Sequence, residues 1–360
     1  MTTAGCAEST RTELHPPSTT STIHFPPYER HIAMKRKILS LVAAGVLAMT
    51  FAGCSSSGGT DPGGSTDSSA GGVIGVIPKS TLYDYWTSVQ IGAENAAKEN
   101  GYTIIFQGTA SDTDSEGQVK IVEDFITKGV KAIVISPVDP DALVPSLKRA
   151  DAAGIPVVII DGKLNSDVPK STVSTDNVAA GVIAADHMSE IIGQPSKIAI
   201  VNEVAGSIQG TAREKGFADA ITADGYTLLS TFFSEGDRNK ALNITQDIFS
   251  STPDIKGIFA TNEGTAVGVS LGVSAAGKAG DVAVVGFDSS DDILQAIRDG
   301  VINGTVTQDP AGIGYTGVTN AIKALKGESV DKKVDVPAAY VDATNIDDPA
   351  IQQVLKPVRK

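Results

Sequence analysis

From Val73 onward, short continuous apolar runs alternate with longer stretches in which apolar positions recur every three or four residues. VIGVIP (73–78) leads into a helical pattern over about 85–99. TIIFQG (103–108) precedes one over 114–129, and AIVISP (132–137) one over 140–152. PVVIID (156–161) and a shorter STVSTD (171–176) follow. The rhythm then starts again with KIAIVN (197–202), YTLLSTFF (226–233), GIFATN (257–262), VAVVGFD (282–288) and INGTVTQ (302–308), with helical stretches between them.

Runs of four to six Val, Ile and Ala residues are too apolar for strands with one wet face. They predict strands covered on both sides. Strands alternating with helices of 10–15 residues predict βαβ units and mostly parallel sheets. The two series, joined near Ser174–Asp176, predict an α/β chain of two doubly wound, Rossmann-like lobes. Helix-end signals agree: Asp176, Asp237 and Asp309 each precede a helical pattern, and Gly101 and Gly129 each close one.

Upstream of this the pattern changes. Met34–Cys54 reads MKRKILSLVAAGVLAMTFAGC. Lys35, Arg36 and Lys37 make a basic start, and Ile38 to Phe51 an apolar run short of the ~20 residues a membrane span needs. Ala52, Gly53 and Cys54 complete the order of a secretory signal. The segment resembles the signal and lipobox of bacterial lipoproteins, with Phe51 where Leu is usual, which makes Cys54 the expected site of lipidation. Residues 34–53 are then the signal peptide, with Met34 the expected start. Residues 1–33, rich in Thr, Ser and Pro, would be an upstream extension outside the working protein. Residues 54–72 read as a Ser/Gly-rich tether, since such a sequence has no apolar surface to bury.

Composition narrows the classes. Cys6 and Cys54 are the only cysteines, so no disulfide framework and no cysteine-based metal site is expected. The net charge is −13; residues 1–53 hold five basic and three acidic residues, so the remainder is more acidic still, at −15. A nucleic-acid partner would demand a basic face. A transcriptional regulator would also need an N-terminal helix-turn-helix, which residues 1–72 lack.

In open α/β sheets, ligands lie beyond the carboxyl ends of the strands. Here those ends carry Lys79, Asp161, Asn262, Asp288 and Gln308. Carboxylates accept from hydroxyls, amides both donate and accept, and Arg213 in GTAREKGF offers a rigid fork of donors. Tyr85 and Trp86 open the first helix beside them. A flat aromatic next to convergent polar groups suits the C–H face of a sugar ring.

These residues sit in an ordered series of motifs: YWTSVQIGAENAAKENGY (85–102), AIVISPVDPDAL (132–143), GIPVVIID (154–161), STDN (174–177), AREKGF (212–217), DIKGIFATNEGTAVGV (254–269), VAVVGFDSSDD (282–292) and TVTQDP (305–310). With them the region 73–345 resembles the type I periplasmic binding proteins, most of all ribose-binding proteins and related sugar-binding lipoproteins of ABC importers. The resemblance implies two lobes joined by three chain crossings, near Ser174–Asp176, Gln308–Asp309 and Val334–Val341. The N-terminal lobe would comprise 73–174 plus 309–333, the C-terminal lobe 175–308 plus 334–345, and 346–360 a tail. It implies that Tyr85 and Trp86 stack on a sugar while Asp161, Arg213, Asn262, Asp288 and Gln308 hold its hydroxyls and ring oxygen. It further implies a monomer that binds a pentose or hexose outside the cytoplasm and delivers it to a permease coupled to an ATPase, with no cofactor and no catalysis.

Three positions depart from ribose binders. Gly162 stands where they have Arg, Gly236 where they have an aromatic, and Tyr83 or Asp84 where they have Asn. IPK (77–79) is instead similar to relatives that bind a furanosyl-like signalling molecule through that lysine, so a receptor serving a sensor kinase or chemoreceptor is the alternative.

Other motifs lead elsewhere. DTDSEGQVKIVE (112–123) approaches an EF-hand loop, but a strand precedes it where the motif needs a helix, so a capped strand-to-helix turn is expected. GVSAAGK (272–278) has phosphate-loop spacing, but Ala279 replaces the hydroxyl residue and the segment ends a helix rather than opening one. His187 is the only histidine after residue 53 and suggests no zinc site. Asp161 and Asp288 could in principle act as a glycosidase pair; their neighbours are of kinds suited to binding.

Overall fold

The computed structural model describes residues Gly71–Arg359; Cys54, the signal segment, the upstream extension and nearly all of the tether lie outside them. The described chain builds two parallel sheets in turn.

The first series is β1 (Val73–Ile77), α1 (Asp84–Glu99), β2 (Thr103–Phe106), α2 (Ser115–Lys128), β3 (Ala132–Ile135), α3 (Val144–Ala152), β4 (Val157–Ile160) and β5 (Ser171–Ser174). The second is α4 (Asn177–Ile192), β6 (Lys197–Asn202), α5 (Ile208–Ala223), β7 (Thr227–Leu228), β8 (Phe232–Phe233), α6 (Arg238–Ser251), β9 (Gly257–Ala260), α7 (Glu263–Ala275), β10 (Ala283–Phe287), α8 (Asp291–Arg298) and β11 (Gly304–Thr307). Then α9 (Pro310–Leu325) and β12 (Lys333–Asp335) rejoin the first sheet, β13 (Ala339–Asp342) joins the second, and α10 (Pro349–Leu355) ends the described chain.

The first sheet runs β12-β5-β4-β3-β1-β2, all parallel. The second runs β13-β11-β10-β9-β6-β7, with β8 also on β6; only β13 is antiparallel. Continuous apolar strands serve two helical layers because alternate side chains point to opposite faces. Ile74, Val76, Val134, Val158 and Ile160 pack under α1 and α9. Ile77, Ile133, Ile135, Val157 and Ile159 pack under α2 and α3. The layer above them is tight: a Cβ on Gly92 of α1 would lie 1.9 Å from the carbonyl oxygen of Ala311, and one on Gly314 of α9 2.1 Å from that of Val89. The two helices therefore meet backbone to backbone.

The helix-end signals hold. Asp176, Asp237 and Asp309 cap α4, α6 and α9, each accepting from a backbone N–H of the first turn. Gly129 closes α2 at φ 67°, and Gly101 follows α1 at φ 75°. Three details differ from the sequence pattern. YTLLSTFF is not one strand but two short ones, β7 and β8, both on β6. Lys333–Asp335 extends the first sheet past 333, so Val334 and Asp335 belong to the first lobe's sheet. Residues beyond 345 are no loose tail: α10 buries Ile351 and Val354, and Asn95 and Glu94 of α1 bond to Val358 and Arg359.

Candidate functional site

The carboxyl ends of both sheets face one another across a small cavity lined mostly by polar side chains. Every residue singled out at the strand ends of the sequence lines it. Lys79, Tyr85, Trp86 and Asp161 come from the first lobe, Arg213, Asn262 and Asp288 from the second, and Gln308 from the crossing after β11.

Both aspartates sit one residue past their strands, after β4 and β10, with left-handed backbones: φ is 46° at Asp161 and 67° at Asp288. Each backbone N–H is held by the next strand, Asp161 to Val173 O and Asp288 to Val306 O, both at 2.9 Å. This turn aims each side chain away from its sheet and into the cavity. The Asp288 carboxylate is well partnered, accepting from Gln308 Nε2 at 2.8 Å and the Glu263 N–H at 3.2 Å. Asp161 Oδ1 is buried with no partner. Burial pushes the Asp161 pKa up to about 6, against the pull of the Lys79 and Arg213 charges. Burial raises that of Asp288 too, with Arg213 opposing.

Arg213 projects from α5 and is held in place through Nε and one terminal nitrogen. Its Nε donates to Asn177 Oδ1 and one terminal nitrogen to Thr261 O, both at 2.8 Å. The same nitrogen lies 4.0 Å from Asp288 Oδ2, and the guanidinium carbon lies 3.7 Å from the centre of the Phe287 ring. Lys79 Nζ crosses the cleft to Gln209 Oε1 at 2.8 Å, and Gln209 Nε2 donates back to the Asp161 carbonyl. Asn262 caps α7, its Oδ1 accepting from Thr265 N at 3.0 Å. The amide oxygen is thus committed to the helix, which narrows the donor-and-acceptor role its residue type suggested.

Tyr85 and Trp86 occupy the first turn of α1, edge to face at 4.9 Å, and both belong to the first lobe's core as well as to the cavity wall. Burial pushes the Tyr85 hydroxyl pKa up, with Asp161 and Asp288 adding to it, so the hydroxyl stays protonated. The hydroxyl is directed at the Asp161 carboxylate without a hydrogen bond of normal length, and Gln308 Oε1 has no donor.

Five further wall residues were not expected as contacts: Tyr83, Asp112, Glu203, Gln209 and Glu263. Glu203 directly follows β6, so the strand-end rule could have found it. Gln209 stands one helical turn before Arg213, where i and i+4 share a face. Nothing local in the sequence marks Asp112 or Glu263. Asp112 belongs to the EF-hand-like stretch, which is a capped strand-to-helix turn as expected: Asp114 caps α2 through Gly117 N. In that stretch Glu123 pairs with Arg149, and buried Gln118 donates to Pro78 O and Ser136 O, tying together the ends of β1 and β3. GVSAAGK lies at the end of α7.

The lobes are closed on each other by direct bonds. Besides Lys79–Gln209, the Tyr83 hydroxyl donates to Gly236 O at 3.2 Å, and Glu263 accepts from Asp84 N at 3.4 Å and Tyr85 N at 3.2 Å. Burial pushes the Glu263 pKa up to about 8, with the charges of Asp288 and Asp84 adding and the backbone N–H groups of Tyr85 and Asp84 opposing.

Two parallel α/β lobes, closed over a polar cavity with an aromatic wall, define a two-lobed binding protein. Residues 74–329 match the family described as periplasmic binding protein domain, and the chain belongs to that family, whose members work outside the cytoplasm. It is 31% identical over 306 residues to the ribose import binding protein of Salmonella typhimurium, covering 85% of this chain and 98% of that one. It is 32% identical over 275 residues to the D-allose-binding periplasmic protein of Escherichia coli, covering 74% and 88%. Among solved structures, an ABC transporter solute binding protein from Agrobacterium vitis with bound D-fucose is 39% identical with a TM-score of 0.75, covering 79% of this chain and 99% of that one.

Proposed function

We propose that this protein is the extracytoplasmic substrate-binding lipoprotein of an ABC sugar importer. It takes one monosaccharide, a pentose or related hexose, into the interlobe cavity and presents the closed form to a permease whose partner ATPase supplies the energy. The observation that carries this reading is the surplus of buried, unpartnered acceptors in the cavity: Asp161 Oδ1, Gln308 Oε1 and Asp112 Oδ1 lack donors. A buried acceptor without a partner costs on the order of 1–3 kcal/mol, which a ligand dense in hydroxyl donors would recover. The Tyr85–Trp86 wall supplies an apolar face for its ring.

The eight residues named from the sequence are the proposed contacts. Asp161 and Asp288 would accept from hydroxyls, Arg213 and the Asn262 NH₂ would donate, Lys79 would mark one rim, and Gln308 would sit at a crossing. The relatives bind ribose, allose and fucose by name, which supports a monosaccharide without choosing one. The lobes would hinge where the chain crosses between sheets, at 174–177, 307–310 and 335–339. Lipid on Cys54 and an 18-residue leash would hold the protein as a monomer within reach of its permease, raising the effective concentration of the docking partners. No step of this function needs a cofactor.

A thermal-shift screen against pentoses and hexoses tests the reading, since a ligand of the native state stabilises it. One or a few sugars should raise the melting temperature and change the emission of Trp86, the only tryptophan. A flat response across the panel would sink the proposal. A receptor for a sensor kinase or chemoreceptor is the second reading, favoured by Lys79 in the cavity wall. Sugar uptake that persists in a deletion strain would select it.

A further inference from the structure

Most helices of this protein cap themselves. α2, α4, α6 and α9 each carry an aspartate whose side chain accepts from the first turn. α1 does not: Tyr83, at its N-cap, makes no side-chain cap. The first N–H groups of a helix have no intrahelical acceptor and must find one elsewhere. Here they find it on the other lobe, where the Glu263 carboxyl takes Asp84 N on one oxygen and Tyr85 N on the other.

Glu263 is built for this place. It is the first residue of α7, 1% exposed, and its own N–H is anchored on Asp288 Oδ2. Arg238, also of the second lobe, stands 3.6 Å from its carboxyl and is itself paired with Asp292 at 2.9 Å. The surrounding contact is close. A Cβ on Gly264 would lie 2.2 Å from Gly236 O of its own lobe and 3.0 Å from the Tyr83 ring of the other, so the residue after Glu263 is glycine where α7 packs on the Gly236 backbone, with Tyr83 seated against the same spot.

We propose that Glu263 is a positioning residue that latches the closed cleft, by capping α1 across the lobes and thereby setting the Tyr85–Trp86 wall over the ligand. The proposal rests on the binding reading above and adds a residue that acts through the helix rather than on the sugar. The two bonds form only when the lobes meet. Their loss is therefore felt in the rate at which the cleft reopens and not in the first encounter, the usual pattern for contacts made after docking.

Amide exchange at Asp84 and Tyr85, followed by NMR in the full chain, reads the latch directly. Trp86 fluorescence in stopped flow with D-ribose, D-allose and D-fucose reads its consequence. In the wild type both amides should be protected in the closed form. Glu263→Ala should speed their exchange at least about tenfold, leave the interior amides of α7 unchanged, and raise the sugar dissociation rate on the order of tenfold with the association rate within about twofold. Glu263→Gln keeps one acceptor oxygen and should fall between. If exchange at 84 and 85 is the same in Glu263→Ala as in the wild type, or runs at the free-chain rate in the wild type whatever sugar is added, the latch is wrong. A Gln variant no better than Ala, or unchanged dissociation from Glu263→Ala, also overturns it. If no sugar perturbs Trp86 while Glu263→Ala still frees the two amides, the latch stands and the choice of sugars falls.

Discussion

Asp161 and Asp288 are counterparts in the two lobes. Each stands one residue beyond its strand, each has a left-handed backbone, and each donates its N–H to a valine carbonyl of the next strand at 2.9 Å. A non-glycine residue in this conformation costs on the order of 1 kcal/mol or more. The strain falls on two carboxylates that enter the cavity from opposite lobes.

Asp161→Gly should therefore separate stability from binding. Glycine accepts a positive φ, and the substitution removes a buried carboxylate oxygen that has no partner. The sugar-free protein should gain about 1 kcal/mol in chemical denaturation. Asp161→Ala, which keeps the backbone strain, should gain less. Both should lower sugar affinity at least about a hundredfold by calorimetry, as a lost charged acceptor implies. A destabilised Gly variant would contradict this account of the turn.

Arg213 should not tolerate its nearest chemical substitute. Its fork reaches Asn177 and Thr261 at once while the plane lies on Phe287. Lysine is a point charge that cannot reproduce a fork or a stack. Arg213→Ala and Arg213→Lys should both weaken binding by about 3 kcal/mol, read by calorimetry on protein shown to be folded. Near-normal affinity in the lysine variant would mean that charge alone matters there.

Stability should fall as pH rises through neutrality. Glu263 is pushed up to about 8 and Asp161 up to about 6 in the folded, closed protein, whereas exposed carboxyls titrate near 4. A raised folded pKa means that the folded form holds the proton more tightly. Its contribution is complete below the unfolded value and is lost as pH rises through the folded one. The melting temperature of the protein held closed by its sugar should drop by several degrees between pH 6 and 9. Glu263→Gln should flatten the portion between about 7 and 9. An equal slope in both proteins would place the titration elsewhere.

On the lipoprotein reading proposed above, Cys54→Ser should release the protein from membranes into the soluble fraction. Retention on membranes in that variant would point to another anchor.

Tight helix packing sets a last expectation. Gly314→Val would force a side chain into the carbonyl of Val89 and part α9 from α1, next to the crossing at 307–310. A loss of several kcal/mol is expected, because the obstacle is backbone and cannot rotate away; overpacking a core usually costs about 1–3 kcal/mol.

Much of this was legible in the residues. The continuous Val/Ile runs declared strands buried on both faces, because only helices on either side can cover them. The Asp caps placed helix starts, because a short carboxylate satisfies N–H groups of its own first turn. The strand-end rule picked out Asp161, Asn262, Asp288 and Gln308, which line the cavity, because parallel strands point one end of every βα loop the same way. Local signals failed where the partner is distant in sequence. YTLLSTFF looked like one strand, but only its ends pair with β6. The segment after 345 carried no strong periodicity, and its burial comes from helices formed hundreds of residues earlier.

The sequence by itself determined the layers, the caps and the residue types at the strand ends, all of which depend on neighbours within a turn or a strand. Tertiary structure alone decided what those groups do to one another. It committed the Asn262 oxygen to α7, sealed Arg213 against Phe287, left Asp161 short of a donor, and brought Glu263 to the uncapped end of α1. The reason is physical: burial, unpaired acceptors and shifted pKa values arise from what surrounds a group in space, and 178 residues of chain separate Tyr85 from Glu263.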